Sequence, residues 1–164
     1  MAVKLVTYNA GLKPDFERLN QHWLEKLFEV EPADKIIFND PESHILASGG
    51  QIFFILDDRE PVGTCAMLRL SVDEYELAKM AVAPAHRRRG YGNRLMKAGL
   101  TFAKEAGANK ITLITDPKLP EAIRLYERNG FQMIPHTPDP RYKRGNVRME
   151  LVLASNLHFE SNNQ

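Results

Sequence analysis

Cysteine is nearly missing from this 164-residue chain, where Cys65 stands alone. A single thiol excludes an intrachain disulfide and any cysteine-based metal cluster, and it fits a reducing compartment, so a cytoplasmic location is expected. Within its apolar surroundings Cys65 reads as a small buried hydrophobe. Histidine is scattered, at His22, His44, His86, His136 and His158, with no pair at helical metal spacing, so no metal site is expected. An excess of one charge is lacking too: 22 Lys and Arg against 21 Asp and Glu leave a formal net charge of +1. A dedicated nucleic-acid binder would carry a basic stripe that moves this balance, so no nucleic-acid partner is expected. No apolar run approaches the roughly 20 residues of a membrane span, and the N-terminus has no apolar signal segment, so neither insertion nor export is indicated. Repeats and dividing linkers are missing as well. Residues 1–153 therefore read as one domain, large enough for a substantial core. The polar stretch Ala154 to Gln164 reads as a tail that has little to bury and is expected to be mobile.

The rest of the chain alternates between strand and helix character. Val3 to Tyr8 reads as a strand. Pro14 then opens a helix on which Phe16, Leu19, Trp23, Leu27 and Val30 recur at helical spacing. Pro32 and Pro41 interrupt the next segment, predicting a short helix near Ala33 to Phe38 and a turn or helix at Pro41 to Ala47. Three strands come next, Gln51 to Leu56, Val62 to Leu70 and Glu74 to Val82, joined by polar turns as an antiparallel meander. Lys110 to Thr115 is a buried strand, Pro120 to Asn129 a helix, Phe131 to Ile134 the start of a strand, and Val147 to Leu153 a final alternating strand. The fold class is α/β (α+β), with a mixed sheet of about six or seven strands flanked by helices.

One stretch concentrates chemistry. After the strand that ends at Val82 comes Arg87-Arg88-Arg89-Gly90-Tyr91-Gly92, and then a helix expected to begin near Asn93. A strand, a glycine turn and a helix N-terminus make an anion site, because the first helical N–H groups lack intrahelical partners and the helix dipole is positive there. Arginines add bidentate phosphate donors. A dinucleotide fingerprint would need a third glycine where Leu95 stands, and a Walker loop would need Lys-Ser or Lys-Thr where Asn93-Arg94 follow Gly92. Both nucleotide readings fail.

The form Arg87-x-x-Gly90-x-Gly92 resembles the pyrophosphate loop of the GNAT superfamily of acyl-CoA-dependent N-acyltransferases. Its flanks agree: Met80-Ala81-Val82-x-Pro84 is similar to that family's strand and turn, and Ala122-x-x-Leu125-Tyr126-Glu127-x-x-Gly130-Phe131 to its second signature. The resemblance covers about residues 50 to 153. It implies acetyl-CoA as co-substrate, bound by Met80, Ala81, Val82 and the loop Arg87, Arg88, Arg89, Gly90, Tyr91, Gly92 and Asn93. It also implies that the strand ending at Val82 and the strand Ile111 to Thr115 splay apart to admit the pantetheine arm, whose amides can pair with exposed strand edges. A homodimer is compatible with it.

Amide formation from a thioester needs an uncharged amine, a polarised carbonyl and a proton for the departing thiolate. By alignment on the family strand, Glu76 is the candidate base, with a solvated strand carboxylate as the equal alternative and Glu74 and Glu31 as competitors. Tyr126 matches the tyrosine that protonates the CoA sulfur in many members. Backbone N–H groups around Met80 to Val82 would polarise the carbonyl. One departure stands out, since Leu119 occupies a position where many members carry Asn beside the pantetheine. Lys79 reads as an outward strand lysine. Trp23, Phe28 and Tyr142 are available to line an acceptor pocket, with ordinary packing as the plainer reading of each. The resemblance implies an N-acetyltransferase acting on a small-molecule amine or on a peptide or protein amine, and a CoA-binding module without chemistry is the alternative.

Overall fold

The computed structural model describes residues 2–136 and 140–153. The tail from Ala154 and the middle of the proline-punctuated loop lie outside the described residues. Seven strands form one sheet: β1 (Val3–Thr7), β2 (Gln51–Asp57), β3 (Glu60–Arg69), β4 (Glu74–Val82), β5 (Lys110–Thr115), β6 (Gln132–Ile134) and β7 (Val147–Val152). Their order across the sheet is β1-β2-β3-β4-β5-β7-β6. The first four form an antiparallel meander, β5 joins β4 in parallel, and β7 and β6 add antiparallel neighbours.

Among the described residues four α-helices cover the sheet: α1 (Lys13–Leu27), α2 (Pro32–Asn39), α3 (Tyr91–Glu105) and α4 (Pro120–Arg128). The segment between Pro41 and Ala47 resolves as a single π-type turn, Glu42–Leu46. Strand β2 shows why both faces of the sheet need cover. Its successive side chains point to opposite faces, and Ile52, Phe53, Phe54 and Ile55 are all buried. Ile52 and Phe54 enter the core beneath α1 and α2, where Phe16 meets Phe38 and Phe54 edge to face with ring centroids 5.4 and 6.4 Å apart. Phe53 and Ile55 enter the larger core beneath α3, with Cys65, Met67, Leu95 and Met96. Cys65 is fully buried, and burial pushes its thiol up to about 12, so it is the small hydrophobe expected. Gly99 lets α3 approach closely, since a Cβ there would stand 3.0 Å from the Met67 sulfur.

Two features position the site. Helix α3 begins at Tyr91, two residues earlier than expected, because Gly90 adopts φ 78° as its N-cap. That left-handed conformation suits glycine, and it turns the chain directly into the helix, so Gly92 lies within the first turn and not in the loop before it. The second feature is the separation of β4 from β5. Their parallel pairing joins Glu74–Leu77 to Lys110–Leu113 and stops there. Beyond that point Ile114 and Thr115 pair with β7, while β4 continues to Val82 against β3.

Candidate active site

The gap between β4 and β5 opens into a cleft of about 920 Å³, and both of its lips line it, Ala78 to Val82 on one side and Ile114 to Asp116 on the other. Among the described residues, the outer edge of β4 from Ala78 onward has no strand partner on this side. Its N–H and C=O groups are thus available to an extended, amide-bearing chain. Met80, Ala81 and Val82 sit on this edge.

At one end of the cleft lies the glycine loop. Arg87, Arg88, Gly90, Gly92 and Asn93 line it, together with Arg124 and Arg128 of α4. The N-terminus of α3 has no side-chain cap, so its first N–H groups point into this end without a side-chain acceptor. A Cβ built at Gly90 would meet nothing within 4 Å, which leaves an open surface beside those donors. The uncapped N-terminus of a 15-residue helix, an open glycine and four guanidinium groups fit a pyrophosphate. Arg87 donates to the Val82 carbonyl at 3.3 Å and Asn93 accepts from the Asn129 amide at 3.2 Å, while two further members of the expected set are tied to Asp57. Arg89 lies 3.3 Å from the Asp57 carboxylate, and the Tyr91 hydroxyl donates to the same carboxylate at 3.0 Å. Tyr91 is buried, so its side chain anchors the loop to β2 while its backbone opens the helix. Arg89 does not line the cleft, whereas Tyr91 does.

Tyr126 projects from the buried face of α4 into the middle of the cleft. Its ring packs edge-on against Phe131 at 6.1 Å. It is 9% exposed, and among the described residues its hydroxyl has no hydrogen-bond partner. Burial, with a smaller contribution from neighbouring Cys65, raises its pKa well above that of an ordinary phenol. Glu76 lies on β4, opposite Leu68 and Thr112 in register, and lines the cleft half-buried. Glu74 instead faces Lys110 and Arg148 at 3.9 and 4.0 Å, away from the cleft lining.

The other end of the cleft is built around a buried ionic cluster. Lys79 is not an outward strand lysine. Register between β3 and β4 shifts between Thr64 and Ala66, and at that bulge Lys79 takes φ 54°. Bulges redirect side chains, and this one sends the Lys79 ammonium to within 2.6 Å of Asp34, with only 7% of the side chain exposed. Asp34 is completely buried in the first turn of α2, where its carboxylate also accepts the Glu31 N–H at 2.9 Å in a reciprocal capping arrangement. Arg144 clasps it with both nitrogens, at 2.9 and 2.6 Å, and reaches Glu31 at 3.0 Å. Burial opposes ionisation of Asp34, but Arg144 and Lys79 outweigh it and hold the carboxyl below its usual range. Two acids are thereby matched by two cations. Glu31, a competitor for the role of base, is consumed here. Tyr142 lies over the cluster, 5.2 Å from the Lys79 ammonium and 4.6 Å from the Arg144 guanidinium. Trp23, Phe28 and Tyr142, for which ordinary packing was the plainer expectation, all line this end.

Sequence pattern did not single out Asp34 or Arg144. The Glu31-Pro32-Ala33-Asp34 run carries a helix-start signal, with an acid at N-cap and another at N3. Nothing in a linear pattern joins it to an arginine 110 positions later. Among the described residues no group of three His, Cys, Asp or Glu side chains converges as a metal site would require, and no helix is long and apolar enough to cross a membrane.

Comparison with known proteins agrees with this geometry. N-acetyltransferase family 8 member 3 of Rattus norvegicus is 30% identical over 93 residues, covering 53% of this chain, and the chain spans 41% of that relative's length. A GNAT-family acetyltransferase structure from Staphylococcus aureus Mu50 superimposes with a TM-score of 0.85 at 24% identity, covering 93% of this chain and 100% of that one. A phosphinothricin acetyltransferase of the same superfamily from Sinorhizobium meliloti, in complex with acetyl-CoA, gives a TM-score of 0.73 at 16% identity, covering 93% and 89%. Residues 13–131 match the model of the acetyltransferase (GNAT) family, and the chain belongs to that family.

Proposed function

We propose that this chain transfers an acetyl group from acetyl-CoA to a primary amine by direct attack, with Glu76 as base and Tyr126 as acid. The observation that carries the reading is the Tyr126 phenol: its ring is buried, it lines the cleft, and its hydroxyl has no hydrogen-bond partner among the described residues. The hydroxyl itself is not sealed in, so it is open to a group bound in the cleft. The adenosine pyrophosphate is held by the α3 N-terminus with Arg87 and Arg88. The pantetheine arm lies along the open edge of β4, and N–H groups around Met80 to Val82 polarise the thioester carbonyl.

Glu76 accepts the proton that the ammonium must lose before or during attack. Tyr126 then hydrogen-bonds the departing sulfur and supplies its proton. A phenol with a raised pKa is a weak acid for an ordinary thiolate. Desolvation in the cleft raises the basicity of a departing thiolate as it does that of a phenolate, which narrows the gap between them. We further read residues 1–153 as one catalytic domain working in the cytoplasm.

The reading is tested by following thiol release from acetyl-CoA with a panel of primary amines, together with thermal melts. CoA is expected to raise the melting temperature by linkage, and NAD and ATP much less at equal concentration. A melt shift with CoA and no turnover with any amine or peptide would favour a non-catalytic CoA-binding module.

A further inference from the structure

Most carboxylates at the acceptor end of the cleft are already engaged, which leaves little of the acidic wall that a polyamine or an aminoglycoside would require. Glu31 and Asp34 lie in the ionic cluster, matched by Arg144 and Lys79. The Asp116 carboxylate accepts the N–H groups of Lys118 at 3.0 Å and Gly145 at 3.2 Å. Glu76 and Glu121 also line the cleft, and the proposed function assigns Glu76 to the reacting nitrogen. Two further cations, Lys118 and Arg141, line the cleft. Among the described residues Lys118 has no ion pair, and its ammonium rests 5.1 Å from the centre of the Phe28 ring.

What these walls offer is apolar surface. Trp23 and Phe28 meet at right angles with centroids 6.0 Å apart. Leu27, Leu70 and Ile114 also line the cleft while remaining 40%, 49% and 36% exposed. Large apolar side chains gathered around a cavity mark a binding surface. A second ammonium would be desolvated beside Lys118 and Arg141, whereas an aromatic body would meet ring edges and faces.

We propose that the acceptor is a small arylalkylamine-type monoamine, its nitrogen at Glu76 and its aromatic body between Trp23, Phe28 and Leu70. The inference rests on the N-acetyltransferase reading above. Size agrees with it: the whole cleft is about 920 Å³, near the upper end of the roughly 300–1,000 Å³ of single-ligand pockets, and the pantetheine arm must share it.

The test compares kcat/KM of the full chain for 2-phenylethylamine and spermidine, with acetyl-CoA as donor. A preference of at least about tenfold for 2-phenylethylamine is expected, on the scale by which apolar pockets discriminate. Trp23 is the chain's only tryptophan, so its fluorescence reports occupancy without turnover and should change when 2-phenylethylamine is added to the CoA complex. Leu70→Asp places a carboxylate on the exposed rim. It should raise KM for 2-phenylethylamine at least about tenfold with kcat little changed, and lower KM for spermidine. Acetylation of spermidine in preference to 2-phenylethylamine would overturn the inference and leave the N-acetyltransferase reading standing. So would acetylation of peptides alone. A Trp23 response to 2-phenylethylamine with no transfer to any amine would overturn both, leaving a binding site for such amines and no acetyl acceptor. An unresponsive Trp23, or an unmoved preference in Leu70→Asp, would also overturn the inference.

Discussion

Replacing Tyr126 by phenylalanine removes one oxygen from the centre of the cleft, and the structure separates what that should do to stability from what it should do to rate. The ring contact with Phe131 survives, and the hydroxyl has no hydrogen-bond partner among the described residues whose loss would leave a buried group unsatisfied. Stability should therefore change by less than about 1 kcal/mol, the scale of one neutral hydrogen bond. Acetyl-CoA affinity should shift by no more, because the phenol is asked to act on sulfur as it leaves and not on the bound thioester. The rate is another matter. General-acid contributions run from ~10² to ~10⁴, and with water able to reach a partly open cleft the lower figure applies. A hundredfold fall in kcat corresponds to about 2.7 kcal/mol of lost transition-state stabilisation. The pH profile adds a second readout. The pKa of Tyr126 is raised by burial, so the acid stays protonated through the alkaline assay range and wild-type kcat should show no fall between about pH 8 and 10, the ordinary phenol value being near 10. Steady-state assays with any accepted amine, paired with thermal melts, decide the matter. A Tyr126→Phe kcat within about twofold of wild type would refute the reasoning, leaving water to protonate the thiolate and the tyrosine as packing.

Glu76→Gln should preserve acetyl-CoA affinity and lower the rate most at low pH, where free amine is scarce; a rate equal to wild type across the pH range would remove Glu76 as the base. Gly92→Val is expected to weaken acetyl-CoA binding by about 2 kcal/mol or more, as the loss of one or two charge-assisted hydrogen bonds would. Its new Cβ would stand 3.3 Å from Leu125, and unchanged affinity by calorimetry in a folded variant would move the pyrophosphate elsewhere. Asp34→Asn leaves Arg144 and Lys79 buried with one fewer negative partner, so a loss of about 3–5 kcal/mol is expected in denaturant titrations. Because the Asp34 carboxyl is held below its usual range, its stabilisation is complete above the unfolded value near 3.9 and is lost as pH falls through the lower folded value. The wild-type melting temperature should therefore drop below about pH 4 more steeply than that of Asp34→Asn.

Local pattern carried a large part of this protein into view. Continuous apolar runs marked β2, β3 and β5 because strands buried on both faces must be apolar throughout, as Ile52 to Ile55 show. Glycine and arginine spacing marked the α3 N-terminus because an anion site needs chain-local geometry: a turn, unpaired N–H groups and nearby donors, all within about seven residues. Tyr126 was singled out by resemblance, through the likeness of Leu125-Tyr126-Glu127-x-x-Gly130-Phe131 to the family's second signature. Periodicity, in contrast, carries no information about where two parallel strands cease to pair, and the point at which β4 leaves β5 depends on how the helices and β7 pack around them. Lys79 was misread because alternation predicts which way a side chain faces only while the register holds, and the bulge between Thr64 and Ala66 breaks it. The joining of Asp34 to Arg144, and of Trp23 and Phe28 to Tyr142, depends on contacts across more than a hundred residues. Such contacts leave no trace in local composition, and only the tertiary structure brought them to one end of the cleft.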